Sequence, residues 1–203
     1  SNRIGEAKLN EAEAYSASVE SEDVLLSNLA KPSIKSFFLP DAVYDKVTDI
    51  EAKTLVEMGI RGLALDVDNT STKYSEDLPA PEIISWIKKL REEGFSLVIV
   101  SNSRKQERVP KISRALDLQY IVRAGKPSRR GFIEATRILD MEPKDVAVVG
   151  DQIFTDVLGA KRAGCKAIIV YPRGISENPL FRLRRLIETP FIRIAKKSLK
   201  GGV

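Results

Sequence analysis

Short apolar runs alternate along the chain with segments whose apolar residues recur every three or four positions. Apolar runs of this length are typical of strands buried in a parallel sheet, and the longer spacing is typical of helices packed against it. The alternation predicts an α/β protein with a parallel five-stranded sheet covered by helices on both faces. The predicted strands are Leu63–Asp66, Ser96–Val100, Tyr120–Val122, Asp145–Val149 and Ala167–Val170.

Helices are predicted between these strands from spacing and from their end signals. Pro81 opens a helix in which Ile83, Ile84, Ile87 and Leu90 recur at helical spacing, and Gly94 ends it. Further helices are predicted ahead of the first strand and after the later ones. They cover about residues 49–58, 104–117, 132–139 and 155–163.

Polar residues stand where four of the predicted strands end, or in the loop that follows. Because the carboxyl ends of parallel strands share one edge of a sheet, these residues are expected to meet in one cleft. The groups are Asp66 with Asp68, Ser101 with Asn102, Lys126, and Asp151 with Asp156.

Phosphoryl transfer needs the side chains that this cleft would hold. Asp66 can attack a phosphoryl group in line, and Asp68 can protonate the leaving oxygen and later activate water. Ser101 and Lys126 can hold the phosphoryl oxygens as charge develops on them. Lys126 also helps to keep Asp66 ionised.

Carboxylates crowded at a strand end are costly unless a cation or a proton is shared between them. Asp66, Asp68, Asp151 and Asp156 offer the hard oxygen ligands that Mg²⁺ prefers. The sequence therefore predicts a magnesium site at this edge.

Each group also has an ordinary structural interpretation. Asp66 and Asp68 can belong to a turn, Ser101 and Asn102 can cap a helix, and a lysine before a proline is commonly a solvated loop residue. Asp156 can interact with a helix N-terminus. Their occurrence in order, each at a strand exit, favours a shared site.

Composition narrows the chemistry further. The chain has 203 residues and no histidine, which removes Ser-His-Asp and Cys-His nucleophile systems and histidine-based zinc sites. The single cysteine, Cys165, precludes an internal disulfide and suits a reducing compartment. We expect a cytoplasmic protein that contacts the inner membrane face, with the mitochondrial matrix and the plastid as open alternatives.

Charge is distributed unevenly around a formal net charge of +5. Residues 1–30 carry two basic and six acidic side chains, whereas residues 172–203 carry eight basic and two acidic ones. A basic C-terminal end predicts an anionic partner, which is a phospholipid surface, a nucleic acid or an acidic protein face. The predicted divisions are an N-terminal arm at 1–33, a domain at 34–175 and a basic amphipathic segment at 176–203.

Four motifs of this chain resemble, in order, those of the haloacid dehalogenase (HAD)-type phosphatases. The motifs are Asp66–Thr70, Val100–Asn102, Lys126–Pro127 and Gly150–Asp156. The resemblance implies a Rossmann-like sheet, Mg²⁺, and an aspartyl-phosphate intermediate, and Asp68 implies the phosphatase branch. It also implies that Asp68 offers the metal its backbone carbonyl. The substrate-binding residues that it implies are Asn69, Thr70, Ser101, Asn102 and Lys126.

Cap domains of that family enter at two places where this chain has little room, so a capless member is expected. With no lid, large substrates are favoured. The flanking segments, Phe38–Pro40, Val47–Ile50, Gly59–Gly62 and the basic end from Asn178 to Glu188, resemble the phosphatidylglycerophosphate-phosphatase-like branch.

The leading hypothesis is therefore a phosphatase that acts on the anionic phospholipid phosphatidylglycerophosphate at a membrane surface. The basic end has a plainer interpretation as a helix packed on the sheet. A phosphatase for a soluble metabolite, a nucleic-acid end or a phosphoprotein is the alternative, and a non-catalytic phosphate-binding module is a further one. A nucleic-acid partner is not expected, and the oligomeric state stays open.

Overall fold

The computed structural model of the protein describes residues 34–67, 78–103, 107–171 and 179–200. Side chains are described over residues 36–67, 78–103, 107–171 and 186–196. The chain divides into two compact units, Ser1–Ile34 and Lys35–Val203, and the fold below is that of the second. The arm predicted at residues 1–33 lies outside the described residues, and the other predicted boundary, at residue 175, stays a prediction.

The described part of the chain contains a six-stranded sheet in which every neighbouring pair is parallel. The strand order is β1-β6-β5-β2-β3-β4. The strands are β1 (Ala42–Tyr44), β2 (Gly62–Leu65), β3 (Ser96–Val100), β4 (Gln119–Ile121), β5 (Val146–Gly150) and β6 (Lys166–Val170).

Helices connect these strands, as a parallel sheet requires. The connecting helices are α1 (Ala52–Glu57), α2 (Pro81–Glu92), α3 (Arg108–Leu116), α4 (Arg130–Leu139) and α5 (Leu158–Ala163), and α6 (Pro179–Lys200) follows the last strand. Short 3-10 turns cover Ile34–Phe38, Val47–Asp49 and Pro143–Asp145, and a π-helical turn, Ile153–Val157, precedes α5.

Strand β2 lies at the centre of the sheet, between β3 and β5. The chain runs outward from β2 through β3 to β4, then crosses back to β5 on the other side. Ligands of open α/β sheets bind where the strand order reverses in this way. The Asp66 backbone N–H donates to the Val149 carbonyl at 2.8 Å, so the exits of β2 and β5 are held side by side at that point.

Alternate residues of β2 supply two separate hydrophobic cores. Leu63 and Leu65, both fully buried, belong to the core formed with α1, α2 and α3. Ala64 belongs to the core on the other face, formed with α4, α5 and α6. Burying a leucine side chain stabilises a fold by about 2 kcal/mol. The central strand is therefore fixed from both faces.

The five predicted strands are confirmed, with no end shifted by more than one residue. The sixth, β1, was not predicted because it has three residues, all half-buried, and none of the apolar weight of a central strand. In α2 the buried residues are Ile83, Trp86, Ile87 and Leu90. Ile84, which the apolar spacing grouped with them, is 40% exposed, and the Trp86 indole N–H donates to the Ile50 carbonyl at 2.9 Å.

Helix α6 runs without a break through Pro190. Among its described side chains, Glu188, Ile192 and Ala195 are buried, at the spacing of one helix face. Leu186 and Ile194 on the opposite side are exposed. No helix in the described residues is both long and apolar enough to cross a membrane.

We predict that Cys165 reacts with thiol reagents only when the protein unfolds. Its side chain is buried, and burial raises the pKa of the Cys165 thiol to about 12. A raised pKa disfavours the reactive thiolate, so at pH 8 alkylation of the native protein should be slower than that of the denatured protein by about a thousandfold. Comparable rates with and without denaturant would contradict this placement.

Candidate functional site

Four charged side chains meet beyond the carboxyl ends of the strands. Asp66 follows β2, Asp151 follows β5, Asp156 lies in the π-helical turn, and Lys126 lies in the loop after β4. Each is 7% exposed or less. Charged groups are this deeply buried only when they are paired or bind a ligand, so the cluster requires a structural or chemical reason.

The Lys126 ammonium joins two of these carboxylates. Its Nζ atom donates to Asp66 Oδ1 and to Asp156 Oδ1, at 2.7 Å in both cases. Burial by itself lowers the pKa of Lys126, but the charges of Asp156 and Asp66 and their hydrogen bonds together outweigh it and raise the pKa above its ordinary value. Lys126 is therefore positively charged at any working pH.

The three aspartates form a set of oxygen donors suited to a hard divalent cation. Ligand atoms of Asp66, Asp151 and Asp156 lie within 4.8 Å of one another. Three carboxylates and one ammonium carry a formal charge of −2, which one divalent cation would balance. Carboxylate oxygens are also the ligands that Mg²⁺ accepts, so the donor chemistry fits this ion.

The approach of Asp156 depends on the glycine at the end of β5. A Cβ atom at Gly150 would collide with the carboxylate of Asp156. The Asp156 Oδ2 atom also accepts the Gln152 backbone N–H at 3.2 Å. The π-helical turn, a rare conformation that is frequent at functional sites, thus holds Asp156 against the exit of β5.

Ser101 and Asn102 fix the neighbouring loops. The buried Ser101 lies at the end of β3, and its Oγ atom accepts the Ser103 backbone N–H at 2.9 Å. Asn102 accepts the Lys126 backbone N–H at 2.8 Å and donates to the Lys126 carbonyl at 3.0 Å. Asn102 therefore holds Lys126 by its backbone N–H and its carbonyl. This role differs from the helix N-capping that is the ordinary interpretation of Asn102.

The structure brings together six of the nine site residues that the sequence predicted: Asp66, Ser101, Asn102, Lys126, Asp151 and Asp156. Asp68, Asn69 and Thr70 lie outside the described residues. The individual roles assigned to all nine stay predictions.

Glu188 of α6 was not predicted as part of this region. It is 1% exposed, and its Oε1 atom accepts the Phe154 backbone N–H at 3.3 Å, within the turn that carries Asp156. Phe154 also packs against Phe38 and Phe191, with ring centroids 5.7 and 6.2 Å away. The sequence signal is the helical spacing from Glu188 to Ile192 and Ala195, which places this acid on the buried face.

Comparison with known proteins identifies the family of this chain. A family model described as haloacid dehalogenase-like hydrolase matches residues 38–164, which include the described site residues. The chain belongs to this family. The hydrolase fold expected from the four motifs is thereby confirmed, and the parallel order of strands agrees with it.

Among relatives of this HAD-like hydrolase is the probable phosphatase YqeG of Bacillus subtilis, 33% identical over 170 residues, covering 84% of this chain and 97% of that protein. The glyceraldehyde 3-phosphate phosphatase of Methanopyrus kandleri is 29% identical over 131 residues, covering 56% of each protein. A HAD phosphatase structure from Thermococcus onnurineus is 27% identical and covers 54% of this chain and 58% of that one, with a TM-score of 0.42.

We predict that Glu188→Ala lowers the hydrolytic rate by displacing the turn that holds Asp156. Removing the carboxylate leaves the half-buried Phe154 N–H without this acceptor, at a cost of about 1 kcal/mol in unfolding free energy. The rate on p-nitrophenyl phosphate should fall, and half-maximal rate should require more Mg²⁺. Glu188→Gln keeps a hydrogen-bond acceptor, so its hydrolytic rate and its Mg²⁺ requirement should stay closer to those of the wild type. Wild-type Mg²⁺ dependence in Glu188→Ala would contradict the link from α6 to the site.

Proposed function

We propose that this HAD-like phosphatase is a Mg²⁺-dependent phosphomonoester hydrolase that works through an aspartyl-phosphate on Asp66. The observation that carries the proposal is the buried cluster in which Lys126 contacts Asp66 and Asp156 while Asp151 shares their donor set. A carboxylate nucleophile needs to stay ionised in a buried place, and a permanently charged ammonium at 2.7 Å provides for that.

The chain's own residues supply the nucleophile and the acid/base group for both half-reactions. The Asp66 carboxylate attacks phosphorus, the bond to the leaving oxygen breaks, and Asp68 gives that oxygen its proton. Asp68 then removes a proton from water, which attacks the phosphorus and frees Asp66. Lys126 and Ser101 hold the phosphoryl oxygens. A Mg²⁺ ion held by Asp66, Asp151 and Asp156, with the Asp68 carbonyl, would supply charge neutralisation at those oxygens.

We expect Asp66→Asn to abolish turnover. The amide is nearly isosteric but has no negative charge to attack phosphorus, so hydrolysis of p-nitrophenyl phosphate should fall by at least about a thousandfold. Asp140→Asn is the matched control, because Asp140 is an exposed aspartate whose left-handed backbone asparagine also adopts. It should keep full activity.

Thermal melting of both variants checks that they are folded. Turnover in Asp66→Asn close to that of the wild type would show that Asp66 is not the nucleophile, whatever the state of the remaining cluster.

We further propose that the enzyme has no cap domain and acts on a phosphomonoester presented from a surface. Between β4 and Lys126 the chain has only residues 122–125, which leaves no space for a cap at that insertion point. The other insertion point follows the first motif, which ends at Thr70, and helix α2 already begins at Pro81. An uncapped cleft accepts a large substrate, because the substrate or its surroundings must exclude water.

The surface proposed is that of an anionic membrane, and the substrate is phosphatidylglycerophosphate. One face of α6 is fixed to the domain by Ile192 and Ala195, so the opposite face is turned outward. That face exposes Leu186, Ile187 and Ile194 at 72%, 53% and 52%. Exposed aliphatic residues on a basic helix suit the boundary between lipid head groups and acyl chains.

We predict that Leu186→Ser with Ile187→Ser weakens hydrolysis of phosphatidylglycerophosphate in anionic vesicles but leaves p-nitrophenyl phosphate hydrolysis unchanged. Both residues lie on the outer face of α6. Their replacement should therefore reduce the amount of protein that sediments with the vesicles, and it should leave the stability of the fold unchanged. Val56→Ser is the control, since Val56 is 65% exposed on α1, on the other side of the sheet.

A soluble phosphomonoester is the competing substrate, favoured by relatives named glyceraldehyde 3-phosphate phosphatase and N-acylneuraminate-9-phosphatase. If the wild-type protein does not sediment with vesicles and prefers such a substrate to the lipid, the membrane proposal is wrong and the phosphatase proposal stands.

A further inference from the structure

Arg123 lines a cleft that adjoins the candidate site through Asn102 and Lys126. A cleft of about 630 Å³ is lined by Asn102, Arg123, Gly125 and Lys126. Two of these residues, Asn102 and Lys126, belong to the site already described. Arg123 lies two residues beyond the end of β4 and is exposed. Nothing in the phosphoryl-transfer chemistry above uses it.

The backbone of Arg123 adopts a left-handed conformation, with φ at 51°. Asp117 and Asp140 are the other non-glycine residues with positive φ in the described part of the chain, and both end a helix. Left-handed residues are common at helix ends, where aspartate tolerates them. Arg123 ends no helix, and arginine has no short polar group to favour this conformation. Such outliers persist where the surrounding structure holds them, often at functional sites.

The loop around Arg123 is held from three directions. The Ala124 backbone N–H donates to the Ser101 carbonyl at 3.1 Å, and Asn102 holds both backbone groups of Lys126. The first turn of α4 packs so closely that a Cβ at Gly131 would collide with Ala124. Arg123 is therefore presented at a fixed position beside Lys126 and not on a loose loop.

The charge of Arg123 is available for a ligand. Within the described residues, no carboxylate pairs with its guanidinium, although neighbouring Lys126 contacts two. A guanidinium binds a phosphate oxygen pair in a bidentate manner that an ammonium cannot match. The cleft thus has a second cationic group outside the position where the scissile phosphoryl group reacts.

We propose that Arg123 binds a second phosphate of the substrate, one that is not cleaved. This inference rests on the proposed function and narrows it to phosphomonoesters that carry another phosphate group a short chain away. A phospholipid with a phosphodiester has this chemistry, and so does a soluble bisphosphate. No bond changes at Arg123, which acts as a specificity-determining residue.

Three substrates separate the possibilities. Glycerol 3-phosphate has only the scissile phosphate, glycerophosphoglycerophosphate adds a soluble phosphodiester, and phosphatidylglycerophosphate in vesicles presents the same head group on a surface. Arg123→Asn removes the charge while keeping a residue that tolerates positive φ, and Arg123→Lys keeps the charge. Arg137→Asn is the control, since Arg137 is exposed on the last turn of α4.

We expect Arg123→Asn to lower kcat/KM by about tenfold on both substrates with a second phosphate, because a charge-assisted hydrogen bond is lost. Activity on glycerol 3-phosphate should be unchanged. Arg123→Lys should recover part of the loss, and Arg137→Asn should match the wild type. The wild-type preference for the second phosphate should also decrease with added salt.

If Arg123→Asn lowers kcat/KM on the soluble diester alone, the result supports the subsite and assigns it to soluble substrates. A loss on vesicles alone overturns it, because Arg123 would then sense membrane charge. An equal loss on all three substrates, or none, also overturns it while the phosphatase function stands. If the wild type hydrolyses no phosphomonoester, the proposed function and this subsite both fail.

Discussion

The contact of one buried ammonium with two buried carboxylates is the constraint on which this structure depends. Lys126 lies 2.7 Å from both Asp66 and Asp156, and all three are almost inaccessible to solvent. Removing such charges from water costs several kcal/mol for each ion, and only close pairing offsets it. Three chain segments that are distant in sequence must therefore be held close together at this point. In the proposed mechanism, the same contact keeps the Asp66 carboxylate negatively charged.

The sheet provides that register through its order of strands. Strand β2 lies between β3 and β5, and its two faces are fixed by separate hydrophobic cores. A strand held on both faces and at both edges has little freedom to move, so the carboxylate that follows it inherits a defined position. The absence of a side chain at Gly150 allows Asp156 to approach the neighbouring strand exit. The candidate site residues therefore lie directly beyond the strand ends whose positions are fixed.

Helix α6 connects this site to the surface. Its inner face places Glu188 on the backbone of the turn that holds Asp156, and its outer face exposes Leu186 and Ile194. A single helix can therefore serve two purposes, because residues three or four positions apart lie on one side and the residues between them on the other. Arg123 shares a cleft with Asn102 and Lys126, so the features proposed to choose the substrate lie around the buried cluster of Lys126 and the aspartates and not within it.

The sequence by itself determined the five strong strands, the two-sided covering of the sheet and the residues at the strand exits. These follow from local apolar runs and from the rule that parallel strands share a carboxyl edge. Strand β1 was not predicted, because its three half-buried residues have no distinctive apolar pattern and form a strand only by pairing with β6. The motifs predicted that Lys126 acts on Asp66, but only the tertiary structure shows that Lys126 also contacts Asp156, since spacing carries no information over 30 positions. The tertiary structure also decided that Glu188 faces inward, because the packing of α6 against the sheet separates one acid from the basic residues around it.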